Sequence, residues 1–158
     1  MKKQSFLEEL DIYHCFYIEM RFFHCIGKCC PLLKSLKFIP SFEQEDKDDN
    51  VVFAIAKTMP GLCQLMILNN ELTNDGLVAI LDGCPLLESL DLRGCLHLNL
   101  DESLEKRCIE KIKEFRFPGE YIDPFDSIIG YIRSLCPKFT FFESINYDQL
   151  SMLINAFY

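Results

Sequence analysis

The residues best suited to chemistry are nine cysteines and three histidines in a chain of 158 residues. Cys25, Cys29 and Cys30 form the tightest thiol cluster, and two histidines touch a cysteine in sequence, His14 before Cys15 and His24 before Cys25. A thiolate held by an imidazole would be a nucleophile. Thiolates and imidazoles in sets of four would hold zinc. The spacing argues against both. There is no C-x-x-C pair and no second cluster to complete a tetrahedral ligand set. Neither His14 nor His24 has a partnering acid in phase, and His97 stands apart from any cysteine cluster. A glycine-rich phosphate loop, a G-x-S-x-G elbow and an H-E-x-x-H helix are all missing from the sequence. The expectation is a non-enzyme with no metal site and no cofactor. Thiol or metal chemistry at Cys25, Cys29 and Cys30 is the weaker alternative.

What positions the cysteines is a repeated phrase. Pro60-Gly61-Leu62-Cys63-Gln64-Leu65-Met66-Ile67 and Pro85-Leu86-Leu87-Glu88-Ser89-Leu90-Asp91-Leu92 share the pattern P-x-L-x-x-L-x-L, 25 residues apart. Three positions past the last apolar residue stand Asn70 in one copy and Cys95 in the next. L-x-x-L-x-L-x-x-N/C is the pattern of a leucine-rich repeat: a short strand, a corner filled by Asn or Cys, and a helix that returns the chain. One unit cannot bury its own apolar face, so units stack and share a core. Cys15, Asn70 and Cys95 take the corner positions, while Cys30 and Cys84 each precede the proline that opens a strand. Thiols phased to a repeat read as small buried core residues kept reduced in the cytoplasm, the nucleus or both.

The same phrase runs through most of the chain. Leu7, Leu10, Ile12 and Cys15 form a first copy, and Leu33, Leu36 and Phe38 a second. Residues 41–50, SFEQEDKDDN, lengthen that repeat to 29 residues between Leu36 and Leu65 and read as a solvated acidic loop. Val52, Ile55 and Ala56, and later Leu77, Ile80 and Leu81, recur at helical spacing. Thr73 or Asn74 is suited to cap the later helix and Gly83 to end it. Leu104, Cys108 and Ile112 give a further helical stripe, with Glu105, Lys106 and Arg107 outward. Ile112, Phe115 and Phe117 form a fifth, degenerate strand phrase. Strands are thus predicted at 10–12, 36–38, 65–67, 90–92 and 115–117.

The expected fold class is α/β, a leucine-rich repeat solenoid of about five repeats. It is a horseshoe segment like ribonuclease inhibitor, with short parallel strands on the concave face and helices on the convex face. Residues 1–118 would form this domain, of the cysteine-containing type. Residues 119–158 fall out of phase and form an unassigned tail. There Ile128, Ile129, Ile132 and Leu135 suggest a helix and Phe139–Phe142 a strand, together suited to cap the open end.

A formal net charge of −8 disfavours nucleic acid or an anionic membrane as partner. No apolar run is long enough for a membrane span, and MKKQSFLEELD lacks the apolar core of a secretory signal.

Residues 1 to about 118 resemble the repeat region of plant F-box/LRR-repeat proteins of the SKP-interacting-partner type. The likeness is carried by GKCCPLLKSLKF, VVFAIAKTMPGLCQL, NNELTNDGLVAILDGCPLLESLDLRGC and LEKRCIEKIKEF. It implies that the repeats present a protein substrate to an SCF ubiquitin ligase, which such proteins join by docking an F-box on a Skp adaptor. The first repeat starts by Phe6, so the adaptor is expected as a partner only if an F-box is supplied elsewhere. The alternative is a truncated, non-functional or competitor fragment of such a protein.

Partner-binding residues are expected between the buried leucines, on the concave face: Asp11, Lys37, Met66, Asp91 and Arg116, with Leu68 and Arg93 alongside. Adjacent strands lie about 4.8 Å apart, close enough for Asp11 to pair with Lys37 and Asp91 with Arg116. Met66, Leu68 and Ile39 would form an apolar centre in a mixed-charge strip suited to a peptide or protein surface.

Overall fold

A computed structural model of the protein describes residues 6–13, 18–40, 49–120 and 122. Within them, strands and helices alternate: β1 (Glu9–Tyr13), α1 (Met20–Cys29), β2 (Ser35–Ile39), α2 (Asn50–Thr58), β3 (Gln64–Ile67), α3 (Asn74–Gly83), β4 (Ser89–Asp91), α4 (Glu102–Lys111) and β5 (Glu114–Arg116). The five strands form one parallel sheet in sequence order. Each strand pairs in the register that the leucine phrase dictates: Leu10 with Leu36, Leu36 with Leu65, Leu65 with Leu90, and Leu90 with Phe115.

Proline sets the helix ends. The C-cap amides of Cys30, Met59 and Cys84 bond back to Ile26, Ile55 and Ile80 at 2.8–2.9 Å. Pro31, Pro60 and Pro85 follow and cannot donate the next helical bond. The chain then turns in the same way three times, with the amides of Leu33, Leu62 and Leu87 bonding the C-cap carbonyls. Each turn aims the following strand at its neighbour. The amides of Ser35, Gln64 and Ser89 reach the carbonyls of Glu8, Lys34 and Cys63 at 3.0–3.1 Å.

Alternation along the strands sends Leu10, Ile12, Leu36, Phe38, Leu65, Ile67 and Leu90 into one core with Phe22, Phe23, Ile26, Val52, Ile55, Leu77 and Ile80 of the helices. Phe23 meets Phe38 edge-on at 5.1 Å between ring centres, tying α1 to β2. Cys30, Cys84, Cys95 and Cys108 belong to the same core. β4 and β5 are assigned one residue earlier than the sequence predicts, yet Leu92 is still fully buried.

Several local expectations change. Gly83 is the last residue of α3 and does not terminate it; a Cβ there would collide with the Ala56 carbonyl, so glycine is needed where α3 packs on α2. Gly27 holds the same relation to Thr58, between α1 and α2. Thr73 is the N-cap of α3, but its own side chain does not cap the helix. Instead Asp49 accepts from the Thr73 amide at 2.8 Å and from its hydroxyl. Asn74 bridges forward, donating to the Asn99 carbonyl at 2.7 Å and accepting from its amide at 3.0 Å. Cys15, most of the acidic 41–50 segment and the tail assignments beyond Ile122 lie outside the described residues.

Candidate functional site

The helices cover one face of the sheet, and the other face carries a groove of about 360 Å³. Lys37, Met66, Asp91 and Arg116 line it along one row, with Ser35, Gln64, Ser89 and Glu114 on one side and Tyr13, Ile39, Leu68 and Arg93 on the other. Register aligns these rows across strands: Asp11 opposes Lys37, Lys37 opposes Met66, Met66 opposes Asp91, and Asp91 opposes Arg116. The partner-binding positions expected from sequence therefore come together on the face away from the helices.

Their environments differ from the exposed strip expected. Lys37 and Asp11 pair at 3.4 Å, half-exposed, with the Tyr13 hydroxyl donating to the same Asp11 oxygen at 3.3 Å. Asp91 does not turn to Arg116. It is held by Arg93, whose Nε donates to Oδ1 at 3.0 Å and Nη2 to Oδ2 at 2.8 Å, with a further bond from the Arg93 amide at 3.2 Å. Both side chains are only 7% exposed. A fork-on-fork ion pair of this kind satisfies the carboxylate and fixes the guanidinium plane. Leu68 and Ile39 are also buried, each 2% exposed, which leaves Met66 as the half-exposed apolar residue at the centre. Arg116 is exposed at the end of the groove and has no ion-pair partner among the described residues.

Two of the three expected corner positions, Asn70 and Cys95, fall among the described residues, and both are buried. Cys95 is fully buried, and its Sγ donates to the Ile67 carbonyl of the preceding strand at 3.2 Å. Asn70 is buried beside it, with an Oδ1 that finds no hydrogen-bond donor among the described residues. The chain around this corner uses left-handed backbone at Asn69 (φ 52°) and Gly94 (φ 78°), equivalent positions 25 residues apart. Gly94 also has no room for a Cβ, since the Asn69 side chain presses against it.

No family model matches the chain, and no solved structure matches it. Proteins of Arabidopsis thaliana do. Putative F-box/LRR-repeat protein 22 is 48% identical over 127 residues, which are 80% of this chain and 41% of that protein. Putative F-box/LRR-repeat protein 23 is 45% identical over 127 residues, 78% of this chain and 28% of the relative. F-box protein SKIP19 is 42% identical over 120 residues, 76% of this chain and 39% of the relative. Over the matched residues the chain is similar to plant F-box/LRR-repeat proteins. It spans about two fifths or less of the length of these relatives.

Three of the described thiols, Cys84, Cys95 and Cys108, sit in surroundings that suppress their ionisation. Burial pushes the Cys84 thiol up to about 11 and the Cys95 thiol up to about 12, from an ordinary 9.0. Burial likewise raises Cys108. Cys84 Sγ contacts the Met59 carbonyl at 3.6 Å. Cys25 and Cys29 are half-buried on α1 and Cys30 is buried at its end. His24 and Cys25 are neighbours on that helix, so their side chains point apart. Burial, then the charges of Lys28 and Lys57, lower the proton affinity of His24. His14 lies outside the described residues, and His97 is exposed on the loop before α4. Among the described residues no three His, Cys, Asp or Glu side chains are placed to hold a metal ion. None of the described helices is long and apolar enough to cross a membrane.

Sequence reasoning missed the Asp91–Arg93 clasp and the Asp49 bridge. The first was legible in principle, because the two side chains are only two residues apart at the end of β4. The second joins residues 24 apart and needs the helix positions first.

Proposed function

We propose that this chain is a leucine-rich repeat solenoid of about five repeats, spanning residues 1–118, that recognises a protein substrate for an SCF-type ubiquitin ligase. Residues 119–158 would form a separate tail that caps the stack. The observation that carries the reading is the groove: five in-register strands align polar, charged and apolar side chains in rows across the face the helices leave open. Asp11, Lys37, Met66, Leu68, Asp91, Arg93 and Arg116 build that surface. Lys37, Met66 and Arg116 meet the partner, while Leu68 and the Asp91–Arg93 pair hold the floor beneath it. Likeness to proteins named for an F-box and leucine-rich repeats supports the ligase setting. The Skp adaptor would be engaged through an F-box outside the matched residues, in the cytoplasm, the nucleus or both. The role is recognition, not catalysis.

Photo-crosslinking tests this. A benzophenone side chain at Met66 should crosslink specific proteins in plant-cell extract. The same group at Ser103, exposed on α4, should not. Arg116→Glu and Lys37→Glu should weaken the Met66 crosslink. Equal crosslinking from positions 66 and 103 would remove the groove as the recognition surface.

A further inference from the structure

The described helices carry charge unevenly. α1 and α2 hold Arg21, His24, Lys28 and Lys57 and no carboxylate, in a chain of net charge −8. α3 holds Asp75 and Asp82 and no base, and α4 holds both signs. Lys28, Lys57 and Asp82 occupy the same place in successive helices, two residues before the C-caps Cys30, Met59 and Cys84. Asp82 is neutralised by Arg107 of α4. Lys28 and Lys57 are exposed, and neither has an ion-pair partner among the described residues.

The two lysines are neighbours. Gly27 seats against Thr58, which brings the last turns of α1 and α2 together, and the next or preceding residue on each helix is the lysine. The charges of both are felt at His24, one turn before Lys28. Apolar groups border them at the same one-turn spacing. Phe53, 42% exposed, precedes Lys57 by four residues, and Met20, 39% exposed, precedes His24 by four. A lysine in a last helical turn complements the helix dipole. That accounts for one lysine per helix, but α3 ends without any base, and the dipole does not explain an exposed phenylalanine beside the charge.

We propose that the outer face of α1 and α2 docks an acidic amphipathic helix of a partner protein, its carboxylates on Lys28 and Lys57 and its apolar side chains on Phe53 and Met20. A helix fits because Phe53 lies one turn before Lys57 and Met20 two turns before Lys28, so a complementary segment has its acidic and apolar side chains one or two turns apart as well. The basic sign of this face, in a chain that is acidic elsewhere, supplies the local charge complementarity for an acidic partner. The surface lies across the sheet from the groove and stands independently of it.

The test uses the full chain and a fluorescent helical peptide of Glu, Leu and Ala, with a Lys-for-Glu peptide as control, read by anisotropy at low and high salt. The Glu peptide should bind, more weakly at high salt. Lys28→Glu combined with Lys57→Glu should weaken it about tenfold or more, while Lys28→Arg with Lys57→Arg should retain it. Phe53→Ser should weaken it at high salt as well as low. Circular dichroism and thermal melting establish that each variant is folded. The proposal is overturned if the wild-type chain does not bind the Glu peptide, if the Lys peptide binds as well, or if charge reversal leaves binding unchanged. It is equally overturned if the face takes single-stranded DNA and refuses the peptide.

Discussion

Arg93 clasps the carboxylate of Asp91, two residues before it on the same face of the sheet, through Nη2 at 2.8 Å and Nε at 3.0 Å. The pair is buried, so the chain holds a matched charge beneath its open face rather than a charge displayed to solvent. Breaking a buried pair from one side strands the other charge. Asp91→Ala or Arg93→Ala should each cost about 3–5 kcal/mol, and replacing both with apolar residues of similar size should cost less than either. Urea denaturation of the three variants checks this, and a double variant weaker than both singles would show that the pair is not acting as a unit.

The strand phase is tested at β3, where adjacent residues differ in role. Leu65 is 2% exposed in the core and Met66 is half-exposed in the groove. Leu65→Ala should destabilise by about 2–5 kcal/mol. Met66→Ala should change stability by about 1 kcal/mol or less. Similar losses from both, measured by chemical denaturation, would contradict the register of the sheet.

Glycine in a helix normally gives way to alanine with a gain of about 0.5–1 kcal/mol. Gly83 should behave in the opposite sense. A methyl group there meets the Ala56 backbone carbonyl, which cannot swing aside like a side-chain tip. Gly83→Ala should destabilise by about 1–3 kcal/mol, as overpacking does. A gain in melting temperature would show that α2 and α3 are less closely seated than described.

The buried thiols make a signed pH prediction. Cys84 and Cys95 keep their protons in the folded state up to about 11 and about 12, whereas the unfolded chain releases them near 9.0. Between those values the folded state binds more protons than the unfolded state, so stability falls as pH rises. Below pH 9 the contribution is fully present. Cys84→Ser and Cys95→Ser should each flatten the alkaline fall, read by denaturation from pH 8 to pH 11. In the same range iodoacetamide should modify Cys84 and Cys95 only after unfolding.

The repeating skeleton was visible in the residues themselves. Leucine spacing sets strand centres, register and core, because a period-two pattern flanked by proline leaves the backbone few alternatives. What stayed hidden were relations that depend on where a side chain leans once the skeleton exists. Asp91 has Arg116 one strand over and Arg93 two residues on, and spacing alone does not rank them; burial favours the partner two residues on, in the turn after β4. Gly83 has the look of a helix terminator, yet its use is set by the Ala56 carbonyl of another helix. Leu68 and Ile39 follow the alternation to the open face as expected, but alternation says nothing about how deep a residue lies on that face. Thr73 has the chemistry of a cap and is instead itself held, by Asp49.

Strict sequence order in the sheet has a consequence for how damage spreads. β1 reaches β5 only through the strands between them, so a defect near Leu10 and one near Phe115 share no contact through the ladder. Substitutions at the two ends should therefore act as separate ledgers, their effects summing, whereas substitutions on touching strands such as β3 and β4 should interfere with one another. The chain is built so that one end can drift in sequence without the other having to follow.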